Sequence, residues 1–306
     1  MPSALPPIPV SAGLLVAALL LAACSEQRQQ GSPTAETMVL RDAVGEEVRL
    51  AGPAGRVISL APNITEILFA IGAGDRVVGR TTFCNYPPEV ARVPAVGDMM
   101  TVDYEQTVAL KPDLALMSVA AQTGEGPYRK LRSLGIPTAA FGAETIAATI
   151  NTIDTIGLLV GHAKQAGELA ARMRSTVDSV RTVARSGAHP RVFIVIDRKP
   201  LMTVSRGFIA EMVETAGGVN IAAGGAIAYP MWPRERLLRD DPDAIIVPGS
   251  DSSDVGALLD LYPEMRELRA VRTGRIYYIN TDLVSRPGPR MVEGIVAVRR
   301  ALERQK

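Results

Sequence analysis

Thiol and imidazole side chains are scarce in this chain of 306 residues, which contains two cysteines and two histidines. Cys24 is assigned below to lipid attachment, so Cys84 is left without a partner and no internal disulfide is expected. His162 and His189 have no cluster of Asp, Glu or Cys near them in the sequence. Because zinc and related transition metals are usually held by several such ligands, we expect no metal site.

The chain also lacks an excess of either charge and the short motifs of common enzymes. Its 33 basic and 32 acidic residues leave a net charge of +1, and the basic residues do not cluster. The electrostatic footprint of a nucleic-acid-binding protein is therefore missing. Neither a Gly-x-Ser-x-Gly nucleophile elbow nor a phosphate-binding loop occurs. We expect no catalytic residues, no cofactor and no nucleic-acid partner.

An apolar stretch near the N-terminus, residues 12–23, is too short to span a membrane and ends in small residues, as in a signal peptide. The sequence Leu-Ala-Ala-Cys at residues 21–24 resembles a bacterial lipobox, so residues 1–24 are expected to form a lipoprotein signal peptide. Lipid on Cys24 would anchor the exported protein stably in the periplasm or at the outer face of the cell membrane. The alternatives are an ordinary signal peptide cleaved nearby or a misassigned start. Residues 25–37 are polar and are expected to form a flexible tether.

One pattern occurs twice in the rest of the chain, at positions 130 residues apart. Glu105 and Glu235 each stand seven residues before a Pro-Asp pair, and a short apolar run follows each pair, at residues 114–117 and 244–247. Each copy predicts a short helix, a stop at the proline and a buried strand. A Glu near a helix N-terminus ordinarily offsets the helix dipole. The matching placement favours two similar lobes, each with one functional Glu.

Apolar runs alternate with helical patterns along the chain, which predicts an α/β fold with a mainly parallel sheet. A helix over residues 66–72 is expected to be capped by Asn63 or Thr65. Residues 145–185 hold apolar side chains at helical spacing and no proline, so they predict one very long helix or two abutting ones. The predicted strands are 38–50 (a hairpin), 57–60, 77–80, 114–117, 137–141, 191–196, 245–247 and 276–279. The predicted organisation is an N-terminal α/β lobe (38–143), a linking long helix (144–187) and a C-terminal α/β lobe (188–306).

Several segments together resemble one family of transport proteins. They are RVISLAPNITE (56–66), GAGDRVVG (72–79), FCNYPP (83–88), VG (96–97), VALKPD (108–113), GGVN (217–220), RE (234–235) and RPGPR (286–290). The chain from about residue 38 resembles the periplasmic substrate-binding proteins of ABC importers for vitamin B12 and iron chelates, most closely the cobalamin-binding branch. The resemblance implies a class III periplasmic binding protein fold, in which one long helix joins two similar lobes with mainly parallel central sheets. It also implies that a small-molecule ligand binds in the cleft between the lobes.

The resemblance further implies how the protein meets its transporter. In the cobalamin branch one surface Glu on each lobe pairs with arginines of the permease, and those positions match Glu105 and Glu235. Exposed ion pairs add little affinity, but they set orientation and speed encounter. The implied partners are a permease dimer, whose two-fold symmetry suits one Glu per lobe, and its ATPase subunits.

The cleft of the cobalamin branch is lined by aromatic rings that pack against the flat corrin. In this chain methionine replaces two of those rings, and methionine packs adaptably against flat faces but also fills ordinary cores. The positions that match the cleft lining are Phe83, Met99, Met202 and Tyr229, with Leu283 on a late loop.

Four further residues are candidates for the same cleft. Trp232, the only tryptophan, lies three residues past Tyr229 and is expected to supply a missing ring. Arg286 and Arg290 flank Pro-Gly-Pro, so they either meet ligand amides or carboxylates or hold the loop through carbonyl contacts. Cys84 is expected to be a buried inert thiol, with contact to the ligand as the alternative.

These patterns predict a membrane-anchored substrate-binding protein that captures a corrinoid and delivers it to an ABC permease. Haem, with Tyr229 as an axial iron ligand, and a ferric siderophore are the alternative ligands. A chelatase-like enzyme on the same two-lobed fold is an alternative of another class. Such an enzyme would need His and Glu in the cleft, or several Cys for a metal cluster, and the sequence offers neither.

Overall fold

The computed structural model of the chain describes residues 37–98, 101–119 and 126–303. Met38–Arg41 (β1) and Glu47–Leu50 (β2) form an antiparallel hairpin. The Asp42 carboxylate closes its turn by accepting the amides of Val44 and Glu46 at 3.1 and 3.0 Å. The predicted hairpin over 38–50 is confirmed.

The first lobe is built on four parallel strands in the order β4-β3-β5-β6. Their side chains are mostly apolar and buried, as expected for a parallel sheet covered on both faces. The strands are β3 (Val57–Ser59), β4 (Val77–Arg80), β5 (Leu114–Ser118) and β6 (Thr138–Phe141); the helices are α1 (Pro62–Ala70), α2 (Tyr104–Ala109) and α3 (Gly126–Ser133), with short 3₁₀ turns at Gly74–Arg76 and Pro88–Arg92.

Two helices follow where the sequence predicted one long helix or two abutting ones. They are α4 (Ile146–Leu159) and α5 (Ala163–Arg185). Between them Gly161 has a φ of 69°, a left-handed conformation that glycine adopts without steric cost. Helix α5 folds back along α4, so that Arg174 and Asp154 form an ion pair at 2.8 Å although 20 residues separate them. The linking element predicted over 144–187 is therefore a helical hairpin and not one straight rod.

The second lobe repeats the plan of the first, with four parallel strands in the order β10-β7-β11-β12. The strands are β7 (Arg191–Ile194), β10 (Val219–Asn220), β11 (Ala244–Gly249) and β12 (Ile276–Asn280), with a small antiparallel pair, β8 (Asp197–Arg198) and β9 (Leu201–Met202). The helices are α6 (Phe208–Thr215), α7 (Arg234–Asp240), α8 (Ser253–Leu261), α9 (Arg269–Arg272), α10 (Thr281–Ser285) and α11 (Met291–Glu303), with a 3₁₀ turn at Pro263–Glu267.

The two large sheets share one topology, in which the first strand of the lobe lies between the second and the third. In each lobe the predicted Glu-bearing helix, α2 or α7, runs into the third strand, β5 or β11. The two copies of the sequence pattern are therefore structurally equivalent, and the prediction of two similar α/β lobes with mainly parallel sheets is confirmed.

The largest apolar cluster extends from the first sheet through α4 and α5 to the second sheet. On the other face of each sheet lies one smaller apolar cluster. The described residues from Thr37 onward accordingly form one compact unit, and the exact boundaries predicted between lobes and link stay predictions. Within the described ranges, none of the helices is both long enough and apolar enough to cross a membrane.

The start of α1 differs from the prediction. The helix begins at Pro62, and Ala61 is its N-cap without a side-chain hydrogen bond. Proline is favoured at the first helical position because its φ is already helical and its missing N–H costs nothing there. Thr65 does not cap the helix, since its hydroxyl lies 2.7 Å from that of Ser59 and donates back to the Ala61 carbonyl.

Candidate functional site

The loops at the carboxyl ends of parallel strands form the edge where open α/β sheets bind ligands. At this edge the first lobe carries Phe83, just past β4, and the second lobe carries Tyr229, between β10 and α7. Their side chains are 53% and 44% exposed. The same loops expose Tyr86, Ile227 and Met231. Clustered exposed apolar side chains favour a binding surface for a largely apolar ligand.

Backbone hydrogen bonds hold the loop that carries Tyr229. The Ser205 amide donates to the Ala228 carbonyl at 2.8 Å, and Met202 and Met231 form an antiparallel β-bridge. Met202 is half-buried, so one side of this predicted cleft residue remains accessible. Burial raises the pKa of the Tyr229 hydroxyl, which therefore stays protonated at neutral pH. The structure thus pairs the strand that carries Met202 with the loop that carries Tyr229, and the contact of both residues with ligand stays a prediction.

The loop that carries Phe83 is anchored by its neighbour Cys84. The Cys84 thiol is buried and lies 3.2 Å from the Thr81 hydroxyl. This agrees with the expectation of a buried thiol and leaves Phe83 projecting outward. Met99 lies outside the described residues, so its predicted place in the cleft is not addressed by the structure.

A buried ion cluster joins the two lobes beside these loops. Glu66 of α1 is 3% exposed, and its carboxylate accepts two hydrogen bonds from Arg290, from Nε at 2.9 Å and from Nη2 at 2.6 Å. Arg286 adds a third at 3.0 Å and also donates to Asn85 Oδ1 at 2.8 Å. Its other terminal nitrogen lies 2.9 Å from Asp282. Arg286 is thus engaged by three protein partners, and its predicted contact with ligand stays a prediction.

Further contacts surround this ion cluster. The Arg290 guanidinium stacks over the Tyr86 ring at 3.9 Å, and the Asn63 amide donates to the Pro287 carbonyl at 3.2 Å. Hydrogen bonding to Glu66 raises the pKa of Arg290. No local sequence pattern assigns a role to Glu66, because its partners lie more than 200 residues away, although it ends one of the segments that carry the family resemblance.

A cavity of about 570 Å³ lies between α1, α5 and the start of α11. Glu66 and Arg290 form part of its wall, and Leu169 and Met173 of α5 contribute apolar surface. Of the described residues considered as ligand contacts, Arg290 lines the cavity, and Met202, Trp232, Leu283 and Arg286 do not. Tyr86 and Pro87, which belong to the loop that carries Phe83, also line the cavity, whereas the Phe83 and Tyr229 side chains do not.

Trp232 does not fit its predicted place in the cleft. Its side chain is 4% exposed and lies in the second lobe's core, with its ring 6.3 Å from that of Phe193. The Arg236 guanidinium covers the ring at 3.7 Å. Since the side chain is buried and Arg236 covers one face of the ring, the ring is not available to a ligand here. Leu283, on α10, is half-buried, and its role stays a prediction.

Glu105 and Glu235 lie in the first turns of α2 and α7, and both are exposed. Asp103 caps the first of these helices by accepting the Gln106 amide at 2.9 Å. Glu235 pairs with Arg234 at 3.1 Å. A hydrogen bond from its own backbone amide and the pairing with Arg234 lower the pKa of Glu235. The positions suit contact with another protein, and permease docking stays a prediction.

The two histidines contact backbone carbonyls. Nδ1 of His162 lies 3.0 Å from the Ile71 carbonyl oxygen, and Nδ1 of His189 lies 3.1 Å from that of Gly217. Each ring therefore links two segments of backbone. In the part of the chain that the structure describes, no group of three or more His, Cys, Asp or Glu side chains is placed to hold a metal ion.

Comparison with known proteins gives a consistent result. Residues 57–283 match the profile of the family described as periplasmic binding protein. YvrC of Bacillus subtilis (strain 168), an uncharacterized ABC transporter substrate-binding lipoprotein, is 30% identical over 297 residues, which cover 93% of each chain. The crystal structure of BtuF of Vibrio cholerae, a periplasmic vitamin B12 binding protein, is 28% identical, with a TM-score of 0.72 over 82% of this chain and 97% of BtuF.

A haem-binding protein has the same fold at lower similarity. The periplasmic heme-binding protein RhuT of Roseiflexus sp. RS-1 is 24% identical, with a TM-score of 0.71 over 82% of this chain and 100% of RhuT. That likeness shows the fold alone. The family profile spans most of the chain and YvrC matches it almost end to end, so the chain belongs to the periplasmic binding proteins, whose members bind solutes and are not enzymes.

Proposed function

We propose that this chain is an exported, lipid-anchored substrate-binding protein that delivers a corrinoid of the vitamin B12 class to an ABC import permease. Its similarity to the vitamin B12 binding protein BtuF supports the ligand class. Its similarity to the substrate-binding lipoprotein YvrC supports export and a lipid on Cys24.

The observation that carries the ligand class is the pair of exposed rings, Phe83 and Tyr229, one on each lobe at the ligand-binding edge. A corrin is broad and flat, with apolar faces and amides around its rim. Aromatic side chains contribute large apolar contact area to such faces. Met202 provides an adaptable thioether on the strand that pairs with the Tyr229 loop. In this proposal the two lobes hold the macrocycle between their rings.

Haem is the second candidate, because it is also a flat macrocycle and Tyr229 offers a phenol that can ligate ferric iron. The two ligands would contact different parts of Tyr229. A corrinoid needs only its ring face, whereas haem needs its oxygen as phenolate. Since burial raises the pKa of this hydroxyl, haem binding would have to release a proton.

We infer that the lobes move little during capture. The linking helices share one core with both sheets, and the Glu66 cluster ties the lobes together beside the cleft. A preorganised site loses less free energy on binding than one that must close. The loaded protein then docks on a permease dimer with its ATPase subunits through Glu105 and Glu235, one on each lobe.

Uptake of radiolabelled cyanocobalamin by cells that lack this chain tests the proposal. Wild-type protein should restore uptake, and a Phe83→Ala/Tyr229→Ala variant should be present at the same level but restore little. Both side chains are exposed, so the variant is expected to fold normally. Wild-type protein that leaves cyanocobalamin uptake unchanged while it restores growth on haem iron would replace the corrinoid by haem.

A further inference from the structure

The Glu-bearing helices of the two lobes are equivalent in more than their glutamates. Each begins one residue before its Glu, and each buries a single side chain at the equivalent position, Thr107 in α2 and Leu237 in α7. Each is followed by a non-glycine residue with positive φ, Lys111 at 47° and Asp241 at 37°. Because the buried residue of each helix and the positive-φ residue after it are equivalent, both helices are rotated in the same way about their axes relative to their own lobe.

The ends of these helices are held in the same way. In the first lobe the Asp113 carboxylate accepts the Arg56 amide at 3.0 Å, and the Arg56 guanidinium returns to the Leu110 carbonyl at 2.6 Å. The second lobe has the matching contacts, from the Arg191 amide to Asp243 at 2.8 Å and from the Arg191 guanidinium to the Asp240 carbonyl at 2.6 Å. Each helix is therefore fixed to the first strand of its own sheet in one orientation.

The exposed faces of these fixed helices carry a second matched residue. Val108 is 45% exposed on α2, and Leu238, 130 positions later, is 37% exposed on α7. Each stands three residues after the Glu of its helix, a spacing that makes the two side chains neighbours on the helix surface. Each lobe thus presents a carboxylate next to an apolar side chain.

We propose that Glu105 with Val108, and Glu235 with Leu238, form two copies of one docking surface, and that Val108 and Leu238 supply much of its affinity. This inference rests on the proposed function and adds apolar contacts to the charged contacts through which the protein is proposed to dock. The fitting partner is a two-fold symmetric protein that presents, on each half, a cation beside an apolar pocket. Two equivalent acidic–apolar surfaces match a partner that repeats one basic–apolar surface by two-fold symmetry.

The carboxylate and the apolar side chain of each surface are expected to contribute to docking in different ways. An exposed carboxylate attracts a basic surface from a distance and speeds association, an effect that salt weakens. An apolar side chain acts only on contact, through the area removed from water, so it slows dissociation and is little affected by salt. The glutamates and the apolar residues should therefore be separable by kinetics.

One difference between the lobes bears on the glutamates. Arg234 lies 3.1 Å from Glu235 and 3.5 Å from Glu264, whereas Tyr104 occupies the equivalent position before Glu105. A cation of the partner must compete with Arg234 for Glu235. Replacing Arg234 by Ala should thus leave docking intact or speed association, although it removes a charged residue from the surface.

The test uses residues 37–306 and purified ABC importers of the source organism in nanodiscs. The importer used is one whose ATP hydrolysis the wild-type protein stimulates. Dissociation constants and rates are measured for Val108→Ser, Leu238→Ser and the double variant, at low and high salt. The comparison variants are Glu105→Ala/Glu235→Ala and a matched pair of exposed apolar residues elsewhere, Leu158→Ser/Val183→Ser.

We expect each single serine variant to weaken binding roughly tenfold and the double variant roughly a hundredfold, through faster dissociation. The double Glu variant should lose association rate and salt dependence, and the matched control should bind like wild type. A double serine variant that binds within about twofold of wild type would overturn this inference and leave the proposed function standing. If the wild-type protein stimulated none of the importers, the proposed function itself would fail.

Discussion

Glu66 of the first lobe and Arg290 of the second form a two-point ion pair, with both carboxylate oxygens bound by one guanidinium at 2.9 and 2.6 Å. Arg286 binds the same carboxylate, so one buried negative charge meets two positive charges. Asp282 lies 2.9 Å from Arg286 and supplies the second negative charge. This balanced cluster ties α1 to the loop before α11 and so links the two lobes.

Replacing Glu66 by Gln should lower the free energy of unfolding by about 3 kcal/mol, because it leaves two largely buried arginines without a full countercharge. Urea denaturation of residues 37–306 measures the loss. Ligand affinity should fall as well, since the lobes are no longer held at one separation.

The matched control for that variant is Asp154→Asn. Asp154 also pairs with an arginine, Arg174, at 2.8 Å, but both side chains are substantially exposed. Exposed pairs contribute little, so the expected loss is about 0.5 kcal/mol. Equal losses for the two variants would contradict a special role for the inter-lobe cluster.

Phe83→Ala and Trp232→Ala should have opposite effects. Phe83 is exposed, so its removal should leave stability unchanged and weaken ligand binding. Trp232 is buried in the second core, so its removal should cost about 3–5 kcal/mol of stability. Trp232→Ala protein that remains folded should bind ligand nearly as tightly as wild type. Calorimetric titration combined with thermal melting separates the two effects.

The pH dependence of binding distinguishes haem from a corrinoid. Burial raises the pKa of Tyr229, so at neutral pH the group is a phenol and must lose a proton to ligate iron. Hemin affinity through Tyr229 should therefore rise about tenfold per pH unit between about pH 6 and pH 8. Cyanocobalamin affinity should stay constant over that range. A rise for hemin that persists in Tyr229→Phe would show that another group releases the proton.

Replacing Cys24 by Ser should abolish lipid attachment, because the thiol that carries the acyl chains is gone. The variant should lose incorporation of labelled palmitate and leave the membrane fraction. A Cys84→Ser variant is the control and should remain in the membrane. Continued labelling of the Cys24 variant would contradict the lipobox assignment.

Much of the fold could be predicted from the sequence because the relevant signals are local. The apolar runs at 114–117 and 244–247 follow Pro-Asp stops, and both lie in buried strands, Leu114–Ser118 and Ala244–Gly249. The break at Gly161 was harder to locate, since helical spacing continues on both sides of it. What turns α5 back is packing against α4, where Gly157 leaves room for Ala166, and that contact has no signature in either segment alone.

The site was less predictable than the fold for the same reason. The partners of Glu66 lie at 286 and 290, so no local pattern indicates the ion cluster. The position of Trp232 was also not predictable from local sequence, because an aromatic residue near a cleft segment can face either the ligand or the core. Phe193 and Arg236, which enclose its ring, decide between the two.

Titration of residues 37–306 with cyanocobalamin and, separately, with hemin tests the central claim most directly. We predict saturable binding of cyanocobalamin at one site, weakened strongly by Phe83→Ala/Tyr229→Ala and unchanged by Leu158→Ser/Val183→Ser. Binding of hemin alone would contradict the corrinoid assignment but keep the transport role. Binding of neither ligand would contradict the proposed cargo altogether and direct the search to ferric siderophores.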